Sequence, residues 1–202
     1  MLTIDEIRTA IQSRPHEPTA FRADPSHAGV AMILTGNDNK LDACFIRRAE
    51  HENDPWSGQV AFPGGRAEPN DKNAAAVAER ETFEEIGMRL QPHHRIGPLP
   101  IRPIQRRGRR IDMTLSPFVY YVGVDAHSTA SVRQSHEVAS VFWVPLNHLF
   151  DEAATTELQY PFDGQLTTFP GIRFEDHVIW GLTLRVLESF ADVMSLSLPA
   201  LD

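Results

Sequence analysis

Apolar residues fall into short runs separated by polar and proline-rich stretches, with two longer segments at helical spacing. Thr3-Ile4-Asp5-Glu6 has the spacing of a capping box, which predicts a first helix from about Ile4 to Ser13. Arg14 to Ser26 is polar and proline-rich and reads as a connector. The continuous apolar run Gly29-Val30-Ala31-Met32-Ile33-Leu34-Thr35 predicts a buried strand, Gly36 to Lys40 a turn, and Leu41 to Ile46 the returning strand of a hairpin. Arg47 to Gly58 is polar and irregular, and Gln59 to Phe62 is a short strand closed by Pro63-Gly64-Gly65. Asn73 to Ile86 has a strong helical pattern stopped by Gly87. Further strands are expected over Ile96–Ile104, Met113–Val124 and Val138–Val144, with a final helix from about His177 to Met194. Strands and helices mix without strict alternation. The expected class is therefore α/β in the broad sense (α+β, with a mixed sheet), helices covering both faces.

Length and composition narrow the setting. The 202 residues fit one domain, and 42% hydrophobic with 23% charged residues is ordinary globular usage. There is no internal repeat and no apolar segment long enough to span a bilayer. The early acids Asp5 and Glu6 make the N-terminus unlike a secretory signal. Cys44 is the only cysteine, which excludes an internal disulfide and a cysteine zinc cluster. A cytoplasmic protein with no membrane partner is expected. The formal net charge of −8 argues against general nucleic-acid binding, which needs a broad positive surface. An anionic substrate is still compatible, given local positive charge or a bound cation.

The chemistry concentrates between Gly64 and Met88. Residues three and four apart share a helix face, so Glu81, Glu84 and Glu85 are expected to converge. Three carboxylates that close repel one another, and a hard divalent cation such as Mg2+ or Mn2+ relieves the repulsion. A solvated acidic face is the ordinary alternative. Against it, Ala74, Val77 and Ala78 project on the side of Glu81 and Glu85, so the acidic patch continues an apolar stripe. Arg80, one turn before Glu84, is placed to orient its carboxylate. Arg102, Arg106, Arg107, Arg109 and Arg110 form the strongest basic cluster, around Gly108. Arginine forks suit phosphate oxygens, so Arg106, Arg107 and Arg109 are candidate substrate contacts, beside the reading of a solubilising hairpin tip. Trp56 is a candidate for stacking on a base, with packing as the alternative. His51, His93, His94, His127 and His136 do not pair at metal-ligand spacing and are expected to be surface or structural residues.

These residues resemble the Nudix box, a glycine and a spaced acid followed by Arg-Glu, Glu-Glu, Gly and an apolar residue. Gly65, Arg80, Glu81, Glu84, Glu85, Gly87 and Met88 match in order. Asp71 stands where most members have glutamate, Thr82 replaces an aliphatic residue, and one extra residue separates Asp71 from Arg80. The segment Ser57-Gly58-Gln59-Val60-Ala61-Phe62-Pro63-Gly64-Gly65 is similar to that of coenzyme A pyrophosphatase-type Nudix proteins. So are the later strand from Glu137 to Leu146 and Trp180-Gly181-Leu182-Thr183. The resemblance implies a single Nudix domain over 1–202, with an N-terminal helix and connector at 1–26 and the box at 64–88. It implies a Nudix-like α/β/α sandwich with a central mixed β-sheet. It also implies metal-dependent hydrolysis of a nucleoside diphosphate derivative, with coenzyme A or its thioesters as candidates. Nucleotide sugars, dinucleotides and nucleoside triphosphates are the alternative substrates, and a non-catalytic Nudix-fold binding module is the alternative class. In this reading Glu81, Glu84 and Glu85, with a backbone carbonyl near Gly64 or Gly65, hold the metal. Glu81, Glu84 and Glu137 are the candidate catalytic residues, Glu81 or Glu137 serving as base; pinning its strand is the other role open to Glu137. A homodimer is the expected oligomer only because homodimers are the commonest.

Overall fold

The computed structural model describes residues 2–14, 20–37, 40–52, 57–100, 102–106, 109–124, 126–134, 136–162 and 164–201; for 102–106 and 109–112 it describes the backbone alone. In chain order the elements are α1 (Ile4–Gln12), β1 (His27–Asn37), β2 (Lys40–Arg48), β3 (Val60–Ala61), β4 (Gly64–Arg66), α2 (Ala74–Ile86), β5 (Arg95–Pro98), β6 (Arg102–Arg106), β7 (Arg109–Tyr121), β8 (Val138–Pro145), β9 (Thr155–Phe162), β10 (Gln165–Phe174), β11 (His177–Trp180) and α3 (Gly181–Met194).

The main sheet is mixed, as the pattern predicts. Its path is β3-β2-β1-β7-β5, with β4 on β1, β6 on β7 and β8 on β2. β1 and β7 run parallel, from His27 opposite Thr114 to Leu34 opposite Tyr121. A second sheet, β11-β10-β9, is antiparallel. The unbroken apolar run of β1 follows from burial on both faces, since successive side chains point to opposite sides. Met32 and Leu34 join a core with Ile7 and Ile11 of α1 and Leu184, Leu187 and Phe190 of α3. Ala31 and Ile33 join the other core, with Ala78 and Ile86 of α2. The result is the α/β/α layering expected of the class.

α2 is fixed locally. The Asn73 side chain accepts the Ala76 N–H at 2.9 Å, and the chain leaves the helix through Gly87 at φ 75°. A close approach seats it on β1: a Cβ on Gly29 would lie 2.3 Å from the Ala74 carbonyl oxygen. The capping box of α1 is formed, with Glu6 accepting the Thr3 N–H at 2.8 Å.

Three segments differ from the expectation. Ile96–Ile104 falls in two short strands, β5 and β6, because Pro98 and Pro100 interrupt the supply of backbone donors between them. His177 to Trp180 is strand β11, paired with β10, so the last helix begins only at Gly181. Pro63-Gly64-Gly65 is expected only to close the strand before it, but Gly64 to Arg66 is strand β4, on β1 from Ala28 to Val30. Among the described residues, no helix is long and apolar enough to cross a membrane.

Candidate active site

β4 and α2 bring the box together. Glu85 is 2% exposed. One of its carboxylate oxygens accepts the Gly64 N–H at 2.9 Å, which ties the helix to the strand. Burial pushes its pKa up to about 8; the Glu81 and Glu137 charges add to the rise, and the Gly64 N–H and Arg48 oppose it. Gly65 has no side chain for a physical reason: a Cβ there would lie 2.4 Å from the Glu81 carboxyl carbon. Glu81 is therefore free to lie against the β4 backbone. Burial raises its pKa too, outweighing Arg80, and the charges of Glu84 and Glu137 act in the same direction as burial.

Arg80 is the hub of the acidic side chains. It donates to both Asp71 oxygens at 3.2 and 3.0 Å, to Glu81 at 3.0 Å and to Glu84 at 2.8 Å. A further N–H reaches the Arg66 carbonyl at 3.0 Å. Asp71 also accepts the Glu68 N–H at 2.8 Å. Burial works against its ionisation, yet these hydrogen bonds and the Arg80 charge hold its carboxyl below the usual range. Asp71 thus anchors Arg80, and Arg80 draws Glu84 outward, leaving the Glu84 side chain 38% exposed.

A cavity of about 660 Å3 opens beside β4. Glu81, Glu85 and Glu137 line it, together with Arg48, Arg66, His51 and His136 and the apolar side chains Val60, Phe62, Met113, Leu115, Leu182 and Val186. The structure thus brings Glu137 to the same cavity as Glu81 and Glu85, while Glu84 stays with Arg80. Among the described residues, no three Asp, Glu, His or Cys side chains stand grouped to hold an ion. The cause is visible: Arg80 engages Glu81 and Glu84, and Gly64 engages Glu85. The donor set is all hard oxygen, the type Mg2+ and Mn2+ select, and the missing side chain at Gly65 is what lets the Glu81 carboxylate lie against β4.

Of the other expected site residues, Trp56 and Arg107 lie outside the described residues. Arg106 and Arg109 face each other across the β6–β7 hairpin, but their side chains lie outside the described residues, as do those of Arg102 and Arg110. The sequence did not single out Arg48 or Arg66, and it left His51 and His136 as surface or structural residues; all four line the cavity. Arg66 carried a signal, since it directly follows the box glycine. Arg48, His51 and His136 carried none, because only the pairing of β2 with β8 brings them together.

Comparison with known proteins gives the family and the fold. A NUDIX domain family model matches residues 25–164. The chain belongs to the Nudix family and is a Nudix hydrolase. It is 33% identical over 138 residues to the Nudix hydrolase NudL of Photorhabdus laumondii, covering 67% of this chain and 68% of that protein. It is 30% identical over 170 residues to the mitochondrial coenzyme A diphosphatase NUDT8 of Homo sapiens, covering 83% of this chain and 69% of that one. Its fold is similar to a MutT/nudix family protein from Enterococcus faecalis, with TM-score 0.57 and 17% identity over 96% of this chain and 70% of that one.

Proposed function

We propose that this Nudix hydrolase cleaves the diphosphate linkage of a nucleoside diphosphate derivative, with coenzyme A or its thioesters as the preferred class. The observation that carries the reading is the buried Glu85 and the half-buried Glu81, which line one cavity together with Glu137. Burying carboxylates without full compensation costs stability, and a bound cation relieves it. Glu81, Glu84 and Glu85, with the Gly65 carbonyl, would hold Mg2+ or Mn2+. Such an ion, when bound, neutralises phosphoryl oxygens and lowers the pKa of a coordinated water.

The remaining roles belong to the protein's own groups. Glu137, on the cavity wall and outside the Arg80 network, is the preferred proton acceptor, and Glu81 the alternative. Arg80, held by Asp71, orients Glu81 and Glu84. Arg48 and Arg66 supply positive charge to the phosphates from the cavity wall, with Arg106, Arg107 and Arg109 as further candidates and Trp56 as a stacking candidate for the base. The apolar lining from Val60, Phe62, Met113, Leu182 and Val186 suits the largely uncharged arm of a pantetheine. The relationship to human coenzyme A diphosphatase supports the same choice.

The test is a substrate panel with Mg2+ and mass-spectrometric identification of products. Coenzyme A should yield 3′,5′-ADP and a phosphopantetheine. A site that holds the 3′-phosphate by a charged hydrogen bond should favour coenzyme A over dephospho-coenzyme A by about tenfold or more in kcat/KM. Faster turnover of ADP-ribose or a nucleotide sugar would move the substrate class. Binding without turnover on every compound would make the chain a binding module.

A further inference from the structure

We infer that His51 is a positioning residue, fixing the carboxylate of Glu137 in the cavity by clamping the main chain on which it sits. The inference rests on the role given to Glu137 above.

Glu137 stands immediately before β8, beyond the end of its ladder with β2. The last pair of that ladder is Arg48 opposite Val138, and the register is already irregular between Arg47 and Arg48. A strand end past a bulge loses regular main-chain support. Two hydrogen bonds replace it. The Ala49 N–H donates to the Glu137 carbonyl at 2.8 Å. The His51 side chain donates through Nε2 to the carbonyl of His136, the residue before. The carbonyl only accepts, so Nε2 carries the proton, in the neutral ring or the charged one. His51 is held in turn, its own N–H donating to the Ser57 hydroxyl at 2.9 Å.

This clamp decides where the carboxylate goes, because the carboxylate has little else to fix it. The Glu137 side chain is 47% exposed, and among the described residues the one basic side chain within 4 Å of its carboxylate is the His136 ring, at 3.7 Å. The Gln134 carbonyl accepts the Glu137 N–H at 2.9 Å, which shapes the turn but does not tie it to β2. His51 and His136 both line the cavity beside Glu137. Removing the His51 ring frees one of the two ties between the Glu137 loop and the β2 end without touching the core. A carboxylate displaced by an ångström loses much of its effect on a reacting group while substrate contacts elsewhere persist. The signature is a loss in kcat with KM preserved.

The experiment is steady-state kinetics with Mg2+ on coenzyme A, or on ADP-ribose if that is turned over faster. The variants are His51→Ala, His51→Gln, Glu137→Gln and the His51→Ala/Glu137→Gln double. His51→Ala should lower kcat about tenfold with KM and the urea unfolding midpoint unchanged. His51→Gln, which keeps an N–H donor, should recover most of the loss. In the Glu137→Gln background, His51→Ala should cost nothing more, because it acts through a group already gone. Additive losses, a change confined to KM, or equal defects in His51→Ala and His51→Gln would overturn the inference. The two levels separate cleanly. Impaired Glu137→Gln with normal His51→Ala sinks the clamp alone, whereas normal Glu137→Gln sinks the role of Glu137 and the clamp with it.

Discussion

Helix α2 carries glutamates toward two different regions, and the protein treats them differently. Glu79 accepts the Tyr120 hydroxyl at 3.2 Å and lies 3.7 Å from the Arg95 guanidinium. Its charge has a donor and a cation, and it is not among the residues lining the cavity. Glu85 is more deeply buried, yet among the described residues it accepts one backbone N–H and forms no ion pair. Both are glutamates on one helix, six residues apart. The first is a finished structural contact. The second is a carboxylate whose charge the fold leaves largely uncompensated, beside two more carboxylates and an open cavity. An isolated buried charge is expensive to maintain and points to a ligand when its neighbours are carboxylates too.

The largest expected effect breaks this contrast directly. Glu85→Gln should reduce turnover with Mg2+ by on the order of a hundredfold or more, because it removes an anionic ligand from the proposed site of the cation that would balance phosphoryl charge. Glu79→Gln should leave turnover unchanged and instead lower unfolding stability by up to about 1 kcal/mol, the scale of a partly exposed ion pair, since the Gln amide oxygen still accepts from Tyr120. Parallel kinetics and urea denaturation decide it. Equal activity losses in the two variants would show that the faces do not differ in role.

A smaller effect sharpens the comparison through pH. The Glu85 carboxyl is raised in the fold to about 8, from an ordinary value of 4.5. The folded state therefore binds its proton more tightly than the unfolded state does. The penalty for ionising it is absent below about pH 4.5, grows between 4.5 and 8, and is complete above 8. In metal-free protein, Glu85→Gln should be more stable than wild type above pH 8 and should lose that advantage as the pH falls toward 4.5. Thermal unfolding in chelator at several pH values reads this. A stability difference that does not vary with pH would contradict the burial argument.

How much of this the sequence disclosed depends on how local each feature is. α2 was legible to its ends, because Asn73 and Gly87 are short-range signals and the apolar stripe at Val77 and Ala78 set the buried side. The link from Arg80 to Glu84 follows from one helical turn. Glu85 bonded to Gly64 spans 21 residues, and helix spacing gives only the face, not the partner. In the sequence the two glycines of β4 signal only the close of the preceding strand, and it is β1 beside them that makes a strand. The pattern forecast nothing for β9 and β10, where the mostly exposed alternation of Thr155 to Phe162 gives no strong apolar signal. His51 and His136 looked incidental for a similar reason: they lie 85 residues apart and meet through a side chain and a carbonyl.

The cavity face of α2 is the proposed divalent-metal site. The most direct measurement is Mn2+ titration of metal-free protein, following loss of the free-ion electron paramagnetic resonance signal. The account predicts saturable uptake by wild type and by Glu79→Gln, and weakened uptake by Glu81→Gln and Glu85→Gln. Undiminished uptake by Glu81→Gln and Glu85→Gln, or no saturable uptake by wild type, would contradict it.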